Sequence, residues 1–207
     1  MAELPRDALL VVISAPSGGG KTTVCQKIVE ANPNIVRAVT CTTRAPRAGE
    51  RDGVDYYFLD PAKFQSRVQA GEFLEHATVH GHHYGTLTAE ILDKLRQGKD
   101  VLLSIDVQGA RTVRKKAAED SVLSAALVTV FLTPPSIAVL EARLKKRGTD
   151  APTVIEQRLS VARQEIGEWK HYDYLILSAS IAEDVRRMEA ILTAEKLRQR
   201  RAQAPEV

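Results

Sequence analysis

The chain has 207 residues, a formal charge of +3 and 27% charged residues of both signs interspersed. That length can bury a substantial core without disulfide or metal staples, and the modest charge gives no ground for a nucleic-acid partner. Cys25 and Cys41 form no CxxC pair, which argues against a disulfide framework or a zinc finger and fits reducing, cytoplasmic surroundings.

The opening segment carries acids and a proline, and no apolar run approaches the roughly 18 residues that span a bilayer, so the chain reads as soluble and unprocessed, with no membrane partner. Ala8-Leu9-Leu10-Val11-Val12-Ile13 reads as a buried strand, and Val24, Ile28 and Val29 fall at helical spacing. Between them lies Ala15-Pro16-Ser17-Gly18-Gly19-Gly20-Lys21-Thr22. A glycine loop between strand and helix turns backbone N–H groups inward around phosphate oxygens. The helix N-terminus adds partial positive charge, Lys21 reaches the terminal phosphates, and Thr22 can ligate Mg²⁺. The strict spacing of such a loop calls for glycine at 15, where this chain has Ala15, the smallest available side chain. The alternative is a glycine-rich turn that only connects a strand to a helix, but the strand before and helix after are the context that the phosphate-binding motif demands.

Asn32-Pro33-Asn34 breaks the first helix, and Ile35 to Val39 resumes as a short strand. Residues 40 to 60, rich in Thr, Arg, Gly and Pro, read as an exposed loop leading into a strand at Tyr56-Tyr57-Phe58. Asp60-Pro61 starts a helix that Gly71 ends. Two short antiparallel strands joined near Gly81 and a helix from about Thr88 to Gln97 follow. Val101 to Asp106 returns to the apolar strand type, then a basic helix, a buried strand from Ala125 to Leu132, and a helix from Ser136 to Arg147. Thr153-Val154-Ile155-Glu156 has capping-box spacing and opens a helix to about Trp169. Tyr174 to Leu177 is the last strand, and Ser180 caps a terminal helix whose basic end, Lys196 to Arg201, reads as a solvated face. Strands alternating with helices predict an α/β fold with a parallel five-stranded sheet flanked by helices. The expected division is a core of residues 1–34, 99–146 and 168–207, an inserted lobe of 35–98, and a helical lid of 147–167.

In the lobe, Thr42-Thr43-Arg44-Ala45-Pro46-Arg47-Ala48-Gly49-Glu50 sets two arginines three apart on a polar loop. Arginine forks onto phosphate oxygens, so the pair suits a second phosphate group, with Tyr56 and Tyr84 as hydroxyl donors. With these stretches, Gly71-Glu72-Phe73-Leu74-Glu75, Tyr84-Gly85-Thr86, Ile105-Asp106-Val107-Gln108-Gly109, Pro134-Pro135-Ser136 and Arg147-Gly148-Thr149, the chain resembles the guanylate kinase family over nearly its whole length. The resemblance implies ATP and GMP (or dGMP) as substrates, ADP and GDP as products, Mg²⁺ as cofactor, and a role in purine nucleotide metabolism. It implies an ATP cradle of Ala15, Pro16, Ser17, Gly18, Gly19, Gly20, Lys21, Thr22 and Thr23, with Thr22 on Mg²⁺ and Asp106 a candidate to reach the metal through water. It places Arg44, Arg47, Tyr56 and Tyr84 around the GMP phosphate, Thr40, Glu75, Thr86 and Asp106 around the base, and Glu50 within the GMP site. Lys21, Arg44, and the lid arginines Arg147 and Arg158 would carry the transfer. A carboxylate at Glu75 can accept both N1–H and the 2-amino group of guanine while Thr40 donates to O6; adenine reverses that pattern.

Three positions depart from the family. Ser104-Ile105-Asp106 stands where the family usually has Asp-Ile-Asp, and strand alternation would turn residues 104 and 106 to one side. Thr40 stands where many members have serine, and Ser178-Ala179-Ser180 replaces the more usual Asn-Asp-Asp. Two other readings are weighed. A non-catalytic module that binds phosphorylated peptides characteristically lacks the glycine cradle, which is intact here. A related small-molecule kinase, such as a ribose 1,5-bisphosphate kinase, needs neither Thr40 nor Glu75. His80, His82 and His83 have no standard metal spacing, and a homo-oligomer is compatible with the sequence.

Overall fold

The computed structural model describes residues 5, 7–79, 81–148 and 151–202, with the Arg147 side chain left out. His80 and the Arg147 guanidinium, both named above, lie outside the described residues. The apolar strand runs form β1 (Leu10–Ser14), β2 (Ile35–Arg37), β7 (Asp100–Ser104), β8 (Leu127–Thr133) and β9 (Tyr174–Leu177), a five-stranded sheet in the order β2-β7-β1-β8-β9. Every pairing in it is parallel. A parallel sheet is covered on both faces, and the residues around β1 show how. Leu10 and Val12 face a cluster completed by helices α3 (Thr88–Arg96), α4 (Val107–Glu119) and α5 (Ser121–Ala126). Leu9, Val11 and Ile13 face the opposite cluster with α1 (Lys21–Ala31) and α8 (Ile181–Lys196). Each buried leucine of these layers contributes about 2 kcal/mol.

The polar middle of the chain builds a second, four-stranded sheet, ordered β4-β3-β6-β5, from β3 (Thr40–Thr42), β4 (Tyr56–Phe58), β5 (Phe73–Val79) and β6 (His82–Leu87). Helix α2 (Pro61–Gln69) closes it, with Phe64 and Phe73 stacked at 4.5 Å. Asp60 caps α2 through Lys63 N, and Gly71 follows in the left-handed region, as the sequence predicts. Helices α6 (Ile137–Arg147) and α7 (Pro152–Gly167) pack on each other through Leu140, Leu144, Ile155, Leu159 and Ala162.

Several expectations are corrected. Ile35–Arg37, assigned by composition to the inserted lobe, pairs with β7 in the main sheet, so the second sheet starts at Thr40. Helix α3 likewise buries Ile91 and Leu95 in the main core. The stretch before β8 contains the short helix α5, capped by Asp120 through Val122 N and Leu123 N. No capping box forms at 153–156, because the cap stands two residues earlier, at Ala151, with Pro152 in the first turn of α7. A 3₁₀ turn, Glu168–His171, follows α7. The basic tail is in part structural: Arg201 is 3% exposed, pairs with the buried Glu195 and donates to Ala125 O, while Lys196 bridges Asp100.

Candidate active site

The glycine loop runs from the end of β1 to the start of α1. Gly19 N–H donates to Pro16 O at 2.8 Å, tightening the turn. Gly18 has φ 86°, and a Cβ there would stand 2.8 Å from Leu144 Cδ2, so backbone conformation and the approach of α6 both require glycine. Gly20, also left-handed, caps α1 without a side-chain hydrogen bond. The first amides of α1 are therefore offered outward, the arrangement that holds an anion. Lys21 Nζ donates to Ile105 O at 2.8 Å. Burial lowers its pKa, while the charges of Cys25, Asp106, Glu165 and Glu75 oppose that shift. Thr22 and Thr23 are exposed in the first turn; Ala15 and Pro16 are buried beneath the loop.

A cavity of about 380 Å³ opens between α1 and the second sheet, and Thr22, Cys25, Arg37, Thr40, Tyr56 and Ser104 line it. The fold thus brings Thr22 from the glycine loop together with Thr40 and Tyr56 from the lobe. Beside it, the arginine loop is held by its own carboxylate. Glu50 accepts two bonds from Arg44 Nη2, at 2.8 and 2.9 Å, and one from Arg47 N at 2.8 Å. This contact raises the Arg44 pKa and lowers that of Glu50. Arg44 also lies 5.5 Å over the Tyr56 ring, which meets Tyr84 edge-on. The Arg47 side chain is exposed.

Deeper in the lobe, Glu75 is 4% exposed and accepts a bond from the buried Thr86 hydroxyl at 2.7 Å. A register irregularity in β5 between Phe73 and Glu75 sets this pairing opposite Thr86. Burial pushes the Glu75 pKa up to about 7, helped by nearby Asp106 and opposed by the Thr86 bond and Lys116. Helix α4 closes the site: a Cβ on Gly109 would stand 2.9 Å from Glu75 Oε2. Lys116 of the same helix donates to Phe73 O.

The expectation that Ser104 and Asp106 share one strand face is corrected. β7 stops at Ser104, and Asp106 caps α4, accepting from Gly109 N at 2.8 Å. Ser104 instead lines the cavity next to Cys25. The carboxylate therefore lies near both the glycine loop and Glu75, where its charge opposes the lowering of the Lys21 pKa by burial and adds to the raising of that of Glu75.

Of the lid residues, Arg158 lies on α7, half-buried. Sequence reasoning missed Glu165 on the same helix. Its carboxylate lies near the Ser17 backbone N–H, and its Oε2 is buried with no hydrogen-bond partner. Only its position seven residues after Arg158, on one helix face, could have signalled it. Among the described residues no group of three or more His, Cys, Asp or Glu is placed to hold a metal. His83 instead bonds Thr78 and stacks on Phe64. A Mg²⁺ site needs no such cluster, since that ion keeps waters and phosphate oxygens and takes one or two protein ligands. The exposed Thr22 hydroxyl at the cavity wall fits that demand.

A phosphate loop at the C-terminal edge of a parallel sheet, opposed by a polar lobe with a buried carboxylate and a held arginine, defines a phosphate-loop nucleotide kinase. The family model described as guanylate kinase matches residues 7–195. The guanylate kinase of Carboxydothermus hydrogenoformans is 47% identical over 193 residues, covering 93% of this chain and 91% of the relative. That of Coxiella burnetii is 43% identical over 190 residues, covering 92% and 89%. The crystal structure of guanylate kinase from Anaplasma phagocytophilum superposes with a TM-score of 0.73 at 35% identity, covering 96% of this chain and 91% of that one. The chain belongs to the guanylate kinase family.

Proposed function

We propose that this enzyme transfers the γ-phosphoryl group of ATP to GMP, and to dGMP, giving ADP and the guanosine diphosphate, as a cytoplasmic step of purine nucleotide metabolism. The observation that carries this reading is the cavity that joins Thr22 of the glycine loop to Thr40 and Tyr56 of the lobe, in a lobe that also buries the Glu75–Thr86 pair. A kinase acting on a guanine nucleotide needs a donor seat and a base-reading acceptor seat that face each other.

In this reading the α1 N-terminus, Ala15 to Thr23 and Lys21 hold the donor phosphates. Thr22 would hold Mg²⁺, which supplies charge neutralisation when bound, and Asp106 stands close enough to Lys21 to share in that field. Arg44, oriented by Glu50, takes the acceptor phosphate with Arg47, Tyr56 and Tyr84. Glu75, aligned by Thr86, accepts the two donors of guanine, and Thr40 serves O6. Arg158 and Arg147 add positive charge from the lid. Transfer between phosphates held in line needs positioning and charge stabilisation, with no covalent nucleophile, so no catalytic base is assigned.

No helix among the described residues is long and apolar enough to cross a membrane. The test is an ADP-release assay with ATP and Mg²⁺ in which GMP, dGMP, AMP, CMP, UMP and ribose 1,5-bisphosphate are offered in turn. GMP and dGMP should be the preferred acceptors. Turnover of AMP as fast as GMP would refute the guanine assignment, and preference for the bisphosphate would favour the small-molecule kinase reading.

A further inference from the structure

The two lid helices bracket the glycine loop. Leu144 of α6 lies against Gly18, leaving no room for a side chain there. Helix α7, packed on α6 through Ile155, Leu159 and Ala162, brings the Glu165 carboxylate near the Ser17 backbone N–H. Lys21 and Asp106 are its charged neighbours. One oxygen of this carboxylate, Oε2, is buried and bonds nothing. An anion thus faces an outward amide and an ammonium of the loop, the groups that a phosphate requires, and it leaves acceptor capacity unused. Buried unpaired acceptors are rare and costly unless they serve a purpose.

We propose that Glu165 is a positioning residue that occupies the phosphate seat of the empty enzyme and is displaced when the ATP phosphates enter. This rests on the reading of the loop as the ATP cradle. Two anions cannot share the Ser17 amide and the Lys21 field, so nucleotide entry and Glu165 occupancy exclude each other. Because Glu165 rides on the helix that carries Arg158, its release frees that helix to move. Seat occupancy and lid position become one equilibrium, and by linkage whatever favours one must favour the other. Burial raises the Glu165 pKa, in keeping with a carboxylate held where its charge is poorly solvated.

The test compares wild type, Glu165→Gln and Glu165→Ala by titration calorimetry with ATP, with inorganic pyrophosphate and with GMP, after thermal melts establish that each protein is folded. Removing a competitor should tighten ATP and pyrophosphate by about fivefold or more, the lower end of ordinary coupling between sites. GMP affinity should stay unchanged, and in steady state KM for ATP should fall while KM for GMP holds. A residue with a merely structural role would weaken nucleotide binding, the opposite sign. Folded variants that bind ATP and pyrophosphate with wild-type or weaker affinity would overturn the proposal while leaving the assigned reaction intact. A wild-type protein that binds neither ATP nor pyrophosphate would overturn the cradle reading and this proposal with it. Failure of the acceptor panel to select GMP would strike the assigned reaction alone.

Discussion

Replacing Glu75 by Gln should make the protein more stable and a poorer kinase, with both effects governed by one titration. The carboxyl is 4% exposed, and burial sets its pKa at about 7 against an ordinary 4.5. Guanine recognition needs the charged form, because only that form accepts both N1–H and the 2-amino group. About 90% of the carboxyl is ionised at pH 8 and about 10% at pH 6, so kcat/KM for GMP should fall roughly tenfold over that interval. Glu75→Gln loses the two charge-assisted bonds, about 3 kcal/mol at least, or roughly a hundredfold in kcat/KM for GMP at pH 8. Its profile should also lack the inflection near 7. KM for ATP should not change.

Stability runs the other way. A buried carboxyl with a raised pKa contributes its full stability below the unfolded value of 4.5, and the contribution is lost as pH rises through about 7. The loss is on the order of 3 kcal/mol at pH 8, at 1.36 kcal/mol for each pH unit. The Gln variant never ionises, so without nucleotide its Tm should exceed wild type by several degrees at pH 8 and match it near pH 4. Initial-rate measurements with GMP between pH 5.5 and 8.5, paired with melts of both proteins, test the reasoning. A Gln variant that keeps the inflection near 7, or that melts below wild type at pH 8, would refute it.

Other consequences follow from close contacts. Gly109→Ala puts a Cβ 2.9 Å from Glu75 Oε2, so KM for GMP should rise about tenfold or more while KM for ATP holds, as initial rates with each substrate varied will show. Arg201→Ala leaves the buried Glu195 short of its partner, which should cost about 3 kcal/mol and lower Tm by roughly 6 to 12 °C with little change in KM for either nucleotide. Ser104→Asp restores a carboxylate to the cavity wall beside Thr22 and should shift the Mg²⁺ dependence of turnover toward lower concentration. Unchanged kinetics and Mg²⁺ dependence in that variant would show that Ser104 weakens no contact to metal, lysine or nucleotide.

Elements whose cause is local could be read from the chain. The apolar run before the glycine loop, the Asp60-Pro61 cap and the Ser136 and Ser180 caps each act within a few residues, and each stands where the sequence puts it. Errors came where distant segments decide. Ile35–Arg37 joins the main sheet because β7 offers it an edge, and no composition change at Ile35 announces that. Asp106 is the exception, a local cap on Gly109 N that strand alternation hid, so the residue starts α4 instead of extending β7. Arg201 looks solvated in a run of basic residues, yet it is buried because it reaches the distant Ala125 O as well as Glu195 of α8. The site shows the same division. The glycine loop and the arginine pair are contiguous motifs, whereas Glu165 acquires meaning only because α6 carries α7 onto Ser17.

The most direct measurement follows the phosphoryl group itself, in a single turnover of ATP labelled in its γ-phosphate with excess enzyme, Mg²⁺ and GMP. Two facing seats and direct transfer require the label to appear as the β-phosphate of GDP, to stay in ATP when AMP replaces GMP, and to stay there again when Lys21 is replaced by Ala. Label released as inorganic phosphate, or transferred to AMP as readily as to GMP, would contradict a donor cradle facing a guanine-reading pocket.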